Sequence, residues 1–300
     1  MKKNLKICYL GDATSPHIVF WARSFARLGH EVHVISPNKA EIENVIVHPT
    51  KTEYNKGLNF FLSHITIRNL IKKIKPDIIH AHYLGTFSFL GILSGFRPFV
   101  GTIWGSDLSI FGKKNIFANL MLKHILRKSN LIEVADKTTK DFLFKNYKID
   151  NKKIDIPYWG ININEFRPVK HKKNIELLYL RKSSEKYGTD VFINALNIVR
   201  KTFPNITAIL KRDNRHVKVE RLISEYKLEK NIKALNWIQD SELPKIFNSS
   251  IIYVDSFYRD KPGGGIGVTV MEAMSCGLPV VIADNPGVRD YINHNQNGLI

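Results

Sequence analysis

The sequence predicts an α/β fold of two doubly wound parallel-sheet domains, arranged one after the other along the chain. Short apolar runs typical of strands alternate with amphipathic runs typical of helices in both halves. Between the halves the pattern breaks at residues 154–174, where Pro157, Pro168 and a basic cluster indicate a linker. Three hundred residues, 44% of them hydrophobic, suffice for two cores of ordinary size. We assign residues 1–168 to the first domain and 169–300 to the second.

Each domain repeats the order strand, helix, strand, which favours a parallel sheet with helices on both faces. In the first half the expected strands are residues 5–12, 30–36, 77–83 and 98–104, and the expected helices are residues 16–29 and 60–75. In the second half the expected strands are residues 175–180, 205–210, 231–237, 250–256 and 279–284, and the expected helices are residues 187–203, 217–228, 241–250 and a segment after residue 265.

Charge and cysteine content narrow the class of partner. The chain has 45 basic and 27 acidic residues, a net charge of +18, which favours phosphorylated small molecules or an acidic membrane surface. Nucleic acid is not expected, because the lysines are spread along the chain and no zinc spacing or aromatic-basic RNA motif occurs. Two cysteines indicate neither a disulfide framework nor a metal cluster and fit a cytoplasmic protein. No apolar run predicts a spanning helix, so we expect any contact with the inner membrane face to be peripheral.

The segment KPGGGIGVTVMEAMSCGLPVV, residues 261–281, reads as a glycine-rich loop, a helix and a strand. Glycine lets a ligand approach the backbone, and a helix N-terminus offers free N–H groups to an anion. The loop therefore suits a phosphate or a sugar, although a flexible surface loop has the same composition. It matches neither the dinucleotide fingerprint nor the phosphate loop with its Lys-Ser or Lys-Thr pair.

Polar residues follow several of the predicted strands. In doubly wound sheets ligands bind outside the carboxyl ends of the strands, and two facing domains hold a ligand in the cleft between them. In the first domain these positions are Gly11, Asp12, His80, His82 and residues 104–107; in the second they are residues 181–186, Lys211, Arg212, Asp255 and the glycine loop.

Five segments in order resemble the retaining, nucleotide-sugar-dependent glycosyltransferases of the GT-B fold, family 4 type, also called glycosyl transferases group 1. They are WARSFARLGHEVHVIS (21–36), KPDIIHAHY (75–83), IPYWGININEFRP (156–168), LYLRKSSEKYGTDVFINA (178–195) and GGGIGVTVMEAMSCGLPVV (263–281). The resemblance covers nearly the whole chain. It implies two Rossmann-like domains facing a cleft, the first on the acceptor side and the second binding the nucleotide sugar.

The resemblance implies a donor site in the second domain. Arg181 and Lys186 meet the negative charge that the diphosphate leaving group gains in the transition state, although alone they read as two solvated cations. Glu272 accepts hydrogen bonds from the ribose hydroxyls, where the alternative is a solvated helix-face residue. The other donor-binding residues that we expect are Gly11, Gly264, Gly265, Ile266 and Gly267.

One departure from the family pattern concerns the donor sugar. The family often carries a second Glu eight positions before the ribose Glu, and that position is Gly264 here. The acid on the sugar side is therefore absent, unless Asp255 or Asp260 supplies it from the same loop. The identity of the donor sugar, and the activity itself, stay open at this point.

The segment GTIWGSDL of the first domain is similar to a family segment that faces the acceptor and the transferred sugar. Trp104 stands where a His is common and can stack on a sugar ring, and Asp107 can orient an acceptor hydroxyl. A buried Trp beside a helix-capping Asp is the structural alternative. His17 and His82 are expected to contact the acceptor or the sugar, or else are polar residues at a helix start and a strand end.

The resemblance further implies transfer with retention by front-face attack, in which a leaving-group oxygen takes the proton of the acceptor hydroxyl. No metal and no cofactor other than the nucleotide-diphosphate sugar is expected, and no Asp-x-Asp motif occurs. The acceptor is expected to be a glycan or a lipid-linked molecule in surface polysaccharide or glycolipid synthesis. Two alternatives stay open: a nucleotide-sugar 2-epimerase of the same architecture, and a non-catalytic relative whose second domain is truncated at its C-terminus.

Overall fold

A computed structural model describes residues 4–50, 58–105, 107–108, 116–157, 160–172, 174–211, 217–235, 238–258 and 265–300. The chain divides into two compact units, Met1–Pro157 and Tyr158–Ile300. Each unit has its own parallel sheet with helices on both faces. The predicted α/β class with two doubly wound domains is confirmed.

The first unit contains a seven-stranded sheet. Its strands are β1 (Lys6–Leu10), β2 (Glu31–Ser36), β3 (Val45–Pro49), β4 (Ile78–His82), β5 (Phe99–Ile103), β6 (Leu131–Val134) and β7 (Ile154–Asp155). Its described helices are α1 (Pro16–Arg27), α2 (Leu58–Ile74), α3 (Thr86–Leu93), α4 (Ile116–Lys128) and α5 (Lys137–Tyr147). The strand order is β3-β2-β1-β4-β5-β6-β7, and every neighbouring pair is parallel.

Alternation along the central strand explains why this sheet has helices on both faces. Ile7 and Tyr9 of β1 pack in the cluster that contains α1, whereas Cys8 and Leu10 pack in the cluster that contains α2, α3 and α4. Successive side chains of a strand point to opposite faces, so a wholly apolar strand needs cover on both sides.

The second unit contains a five-stranded sheet of order β10-β9-β8-β11-β12. Its strands are β8 (Ile175–Tyr179), β9 (Ala208–Lys211), β10 (Ile232–Leu235), β11 (Ser250–Asp255) and β12 (Val280–Ile282). Its described helices are α6 (Thr189–Thr202), α7 (Val217–Glu225), α8 (Leu243–Ser249) and α9 (Val268–Ser275). Leu178 of β8 packs with α8 and α9, and Tyr179 packs with α6 and α7.

The linker after Pro157 packs on the second unit. Phe166 is buried in that unit's core, with its ring centroid 6.0 Å from that of Phe247, and its carbonyl oxygen accepts a hydrogen bond from Ser275. The structure thus divides after Pro157, whereas the sequence boundary stands at residue 168. The difference arises because an aromatic anchor lies inside a segment whose prolines and lysines are typical of a linker.

Each sheet changes its winding direction at one place. In the first unit β1 and β4 are neighbours, and in the second unit β8 and β11 are neighbours, with the earlier strands on one side and the later strands on the other. At such a switch point the connections after the two strands leave toward opposite faces of the sheet and open a crevice. Most of the predicted site residues follow one of these four strands.

Candidate active site

The carboxyl ends of β1, β4 and β5 bring a group of rings together in the first unit. Trp104 follows β5 directly, and His17 lies in the first turn of α1. Their ring centroids are 3.9 Å apart, and the ring of His82, at the end of β4, is 5.6 Å from that of Trp104. The structure therefore groups the three residues predicted to contact acceptor or sugar. We call His17, His82 and Trp104 the ring cluster.

Gly11 lies directly after β1, beside this cluster. Its N–H donates a hydrogen bond to the carbonyl of Ile35 at 3.2 Å. A Cβ atom at this position would overlap Ile18 of α1 and would lie 3.6 Å from the carbonyl oxygen of His82. The absence of a side chain is thus already needed for packing α1 onto the strand end, while a role in donor binding stays a prediction.

Asp107 holds the loop that carries Trp104. The carboxylate is fully buried and accepts backbone hydrogen bonds from Leu84 and Trp104, each at 3.1 Å, and from Leu108 at 3.2 Å. Burial raises the pKa of Asp107 above its usual value, against the lowering effect of these amides. The geometry is that of a loop anchor, and a direct catalytic role stays a prediction.

His82 is a buried imidazole with unused hydrogen-bonding groups. It is 4% exposed, and neither ring nitrogen has a partner within the part of the chain that the structure describes. Tyr9, Trp21 and His80 surround it, with ring centroids 5.4, 5.7 and 4.6 Å away. Burial, and next the charges of His80 and His17, keep the pKa of His82 well below its usual value. The ring is therefore neutral near pH 7 and has one donor and one acceptor to offer.

A second layer of polar residues lies beneath the ring cluster. His80 Nε2 is 2.6 Å from Thr102 Oγ1 and 3.2 Å from Glu133 Oε2, and the Thr102 hydroxyl donates to Glu133 at 2.8 Å. Burial alone would raise the pKa of Glu133. The hydrogen bonds from His80 and Thr102 lower it by more, so the pKa lies below its usual value. Sequence reasoning missed Thr102 and Glu133. Their signal is the strand register, which pairs His82 with Thr102 and Thr102 with Glu133.

In the second unit, Arg181 and Asp255 form an ion pair across the switch point. Arg181 Nε lies 2.9 Å and Nη2 2.7 Å from the Oδ2 atom of Asp255, and the carboxylate is 1% exposed. Phe257 lies beneath the guanidinium, 5.0 Å from Cζ to the ring centroid. Burial alone would lower the pKa of Arg181, but the Asp255 carboxylate raises it. The guanidinium is therefore charged and held in one orientation.

The guanidinium of Arg181 lies against the backbone of Gly267, the residue before α9. A Cβ atom on Gly267 would lie 2.5 Å from Arg181 Nη2 and 3.2 Å from Cζ. A larger residue at this position would displace the cation from the backbone at the start of the helix, where the peptide dipoles favour an anion. Ile266 packs on the core with its side chain, and its role in donor binding stays a prediction. Gly264 lies outside the described residues.

Lys186 is on the same loop as Arg181, in the short helical turn Glu185–Tyr187. It is exposed, its ammonium lies 5.7 Å from the Tyr187 ring centroid, and it has no ion-pair partner among the described residues. The loop itself is fixed: Gly188 has a φ of +75°, and its carbonyl accepts a hydrogen bond from Ser256 at 2.6 Å. The loop thus presents Arg181, which is paired with Asp255, and Lys186, for which the described residues supply no ion-pair partner.

Glu272 is the fifth residue of α9 and is half-buried. It lies five residues after Gly267, which corresponds to roughly 7.5 Å along the helix axis, or about 1.4 turns. Its role at a ribose stays a prediction. Asp255 is bound to Arg181, which argues against its replacing the missing acid on the sugar side. Asp260, the other suggested replacement, lies outside the described residues.

Two family models match the chain. Residues 6–135 match the glycosyl transferase 4-like family, and residues 161–300 match the family of glycosyl transferases group 1. The two matches fall on the two structural units. Together they include every described residue that we predicted for the site.

Curated proteins of similar sequence are also glycosyltransferases. An uncharacterized glycosyltransferase of Methanocaldococcus jannaschii, MJ1178, is 26% identical over 90% of this chain and 75% of its own length. The O-antigen chain mannosyltransferase RfbU of Salmonella typhimurium is 21% identical over 60% of this chain and 50% of its own length. The alpha-monoglucosyldiacylglycerol synthase of Acholeplasma laidlawii is 20% identical over 91% of this chain and 77% of its own length. The chain thus spans between half and about three quarters of these relatives.

Solved structures share the fold. A glycosyltransferase from Rickettsia africae superposes with a TM-score of 0.78 at 19% identity, over 99% of this chain and 84% of its own. Anabaena HepE, in its complex with UDP-glucose, gives a TM-score of 0.78 at 18% identity, over 99% of this chain and 85% of its own. At these identities the likeness is one of architecture.

Proposed function

This chain belongs to the group 1 glycosyltransferases of the GT-B fold, family 4 type, and we propose that it moves a sugar from a nucleotide-diphosphate sugar to a glycan or lipid-linked acceptor. The observation that carries the proposal is the guanidinium of Arg181, fixed by Asp255 against the backbone of Gly267. A fixed cation at a helix N-terminus suits a diphosphate. Retention of the anomeric configuration and independence of a metal are parts of the same proposal.

The donor diphosphate meets two different cations. The pair of Arg181 with Asp255 is formally neutral, so Arg181 acts mainly by directing N–H donors along a fixed plane. Lys186 adds the net positive charge, because no carboxylate among the described residues pairs with it. The leaving group gains negative charge as its bond to the sugar breaks, and preformed donors stabilise that charge without reorganisation. Glu272, about 1.4 turns beyond Gly267 on α9, binds the ribose hydroxyls.

The nucleotide part of the donor is supported by solved structures of similar fold. Anabaena HepE has been solved with UDP, with UDP and glucose, and with UDP-glucose. We therefore propose a nucleotide sugar as the donor of this chain and treat the base as the quantity to be measured. A leaving-group oxygen takes the proton of the acceptor hydroxyl, so the described residues need to supply orientation rather than a general base.

The acceptor side is the ring cluster of the first unit. Trp104, whose ring packs at a tilt against His17, is an aromatic side chain of the kind that binds sugar rings. His82 offers a hydrogen bond from a neutral ring, and Asp107 positions the Trp104 loop. Two relatives are named for an O-antigen chain and for monoglucosyldiacylglycerol, which supports a glycan or lipid acceptor in surface polysaccharide or glycolipid synthesis. Such an acceptor places the enzyme peripherally at the inner membrane face.

The first test is thermal stabilisation of the purified chain by UDP, GDP, ADP and their common sugar conjugates. A ligand at about a hundred times its Kd adds roughly 2.7 kcal/mol of stability. We expect one nucleotide series to stabilise the protein, which also identifies the base. A folded protein that no nucleoside diphosphate stabilises would contradict the proposed donor site.

A further inference from the structure

One face of the first sheet carries a row of buried polar side chains. They are Tyr9 of β1, His80 of β4, Thr102 of β5 and Glu133 of β6, and each is buried. The strand register pairs Tyr9 with His80 and Thr102 with Glu133, and paired residues of neighbouring strands point to the same face. His82 lies two residues after His80, so its ring is on this face as well. The row therefore leads from β6 to the ring cluster.

The hydrogen bonds along this row have a defined direction. An ionised carboxylate only accepts, and the Thr102 hydroxyl donates its one proton to Glu133 Oε2 at 2.8 Å. The Thr102 oxygen is thus an acceptor toward His80, whose Nε2 atom lies 2.6 Å away. His80 must therefore carry a proton on Nε2, which also lies 3.2 Å from Glu133 Oε2. Glu133 and Thr102 together fix the tautomer and the ring plane of His80.

The Glu133 carboxylate is not needed to fill the sheet. Glu133 is the one charged residue of β6, whose other residues are Leu, Ile and Val. Burying a carboxylate is costly unless it is paired, and an apolar side chain of similar size would avoid that cost. Within the described part of the chain, its hydrogen-bond partners are Thr102 and His80. The carboxylate is thus better explained by the orientation of His80 than by the stability of the strand.

The ring of His82 depends on its neighbours for its orientation. Neither of its nitrogens has a hydrogen-bond partner among the described residues, so packing positions the imidazole. The ring centroid of His80 is 4.6 Å away, closer than those of Tyr9 at 5.4 Å and Trp21 at 5.7 Å. The Tyr9 hydroxyl also has no partner in the described ranges, whereas hydrogen bonds hold the ring of His80. The nearest of these three neighbours is therefore one that Glu133 and Thr102 keep in place.

We propose that Glu133 is a positioning residue of the candidate active site, which acts through Thr102 and His80 to hold the ring of His82 in one orientation toward the acceptor. A fixed imidazole presents one donor and one acceptor at constant places, so a sugar hydroxyl binds without the cost of ordering the ring. The contact with the acceptor rests on the proposed function. The effect of Glu133 on His82 does not, and it is measured in the protein alone.

The proposal is tested by NMR spectroscopy of the full chain with 15N-labelled histidine rings. The signals of His80 and His82 are assigned by their loss in His80→Gln and in His82→Gln. We expect the unchanged chain to show a proton on Nε2 of His80 and a single set of ring signals for His82. A neutral His80 with its proton on Nδ1, or several sets of His82 signals in the unchanged chain, would overturn the proposal.

Two pairs of variants test the contacts between Glu133 and His82. Thr102→Val removes the hydroxyl at nearly the same volume, and Thr102→Ser keeps it. Glu133→Leu removes the carboxylate, and Glu133→Gln keeps an oxygen that accepts from Thr102. We expect the two removals to shift the ring signals of His82 and to add a second set, and the two conservative variants to keep the original set. A role in stability alone would lower the free energy of unfolding without moving the His82 signals, and that result would overturn the proposal. If Glu133→Leu does not fold, the volume-preserving Thr102→Val gives the answer.

The matched control is Thr50→Val. Thr50 is another buried threonine of the first unit, and its hydroxyl donates to the carbonyl of Ser36 at 3.1 Å. The His82 signals of this variant should match those of the unchanged chain, and an equal shift in Thr50→Val and Thr102→Val would overturn the role of Thr102. Stabilisation by nucleoside diphosphates is recorded for the same proteins and should not change, since the donor site lies on the other unit. A failure of the positioning and a failure of the donor site are therefore seen separately.

Discussion

The two switch points of this chain carry opposite chemistry at equivalent places of two similar sheets. At the first, between β1 and β4, the side chains are rings, and the central His82 is held neutral. At the second, between β8 and β11, a charged guanidinium and carboxylate face each other over a glycine. The same backbone geometry thus presents a cluster of rings in one unit and an ion pair beside a helix N-terminus in the other.

The difference arises because the neighbours of His82 favour its neutral form, whereas the neighbour of Arg181 favours its charged form. Around His82, burial and the imidazoles of His80 and His17 disfavour a positive charge. Around Arg181 there is a buried carboxylate that favours it. A nucleotide sugar presents both needs, a charged diphosphate and a neutral sugar. The predictions below test whether the two regions divide the work in this way.

The largest expected effect is on stability in the second unit. Arg181→Ala leaves the Asp255 carboxylate, 1% exposed, without its cation. Since an uncompensated buried charge is costly, we expect the free energy of unfolding in urea to fall by about 3 kcal/mol. Arg181→Ala with Asp255→Asn should recover about half of that loss. A single variant as stable as the unchanged chain would show that the pair is not a buried charge pair.

Lys186 tests the net charge of the donor site. Lys186→Gln should leave stability within about 0.5 kcal/mol, because the side chain is exposed. We expect it to weaken nucleoside diphosphate binding roughly tenfold, or about 1.4 kcal/mol, and to reduce the salt dependence of binding. Lys182→Gln, an exposed neighbour on the same loop, is the matched control and should change neither quantity. Equal losses in the two variants would indicate a general charge effect.

The neutral state of His82 predicts a pH dependence of stability. Its pKa is lower in the folded chain than in the unfolded chain, so below the unfolded pKa of about 6.5 the unfolded state binds more protons. Stability is therefore full above that pH and is lost as pH falls, by up to about 1.4 kcal/mol per pH unit for one proton. His82→Phe should flatten the slope between about pH 6.5 and 5. An unchanged slope would show that another group is responsible.

The smallest effect on nucleotide binding is expected from the ring cluster. Trp104→Leu removes the aromatic ring that packs against His17 and should cost roughly 1 kcal/mol of stability. The affinity for nucleoside diphosphate should stay unchanged, while sugar transfer to the acceptor falls. Titration of nucleotide into the variant gives the first quantity directly. A clear loss of nucleotide affinity would contradict the division between the two regions.

Much of the fold is readable from the sequence, because apolar strands such as those ending at Leu10 and His82 need cover on both faces. β3, Val45–Pro49, is not among the predicted strands, although it begins with three β-branched residues; it is a half-exposed edge strand that ends at a proline. The resemblance predicts a donor loop that includes Arg181 and Gly267, and this assignment stays a prediction. Their physical relation is not readable, because the Asp255 partner is 74 residues from Arg181 and only the pairing of β8 with β11 brings them together.

Asp107 is a residue for which the sequence suggests a role but does not reveal the actual contacts. Beside a tryptophan that suits a sugar, a carboxylate in the sequence suggests contact with an acceptor hydroxyl. Its actual partners are backbone amides, one of them at Leu84 on a different strand end. Almost every residue type has a backbone N–H group, so the sequence does not show which of these groups will bind a carboxylate. A prediction based on side chains therefore misses that the Asp107 carboxylate already accepts backbone hydrogen bonds.

The central claim is that the backbone of Gly267 seats a guanidinium that binds the donor diphosphate. The most direct measurement is calorimetric titration of the preferred nucleoside diphosphate, and of its nucleoside, into Gly267→Ala and into Gly160→Ala. A Cβ on Gly160 meets no atom within 4 Å, so that variant is the matched control. We predict that Gly267→Ala binds the diphosphate roughly tenfold more weakly than the unchanged chain, while the control does not change and the nucleoside binds all three alike. Equal diphosphate affinity in all three proteins would contradict the account.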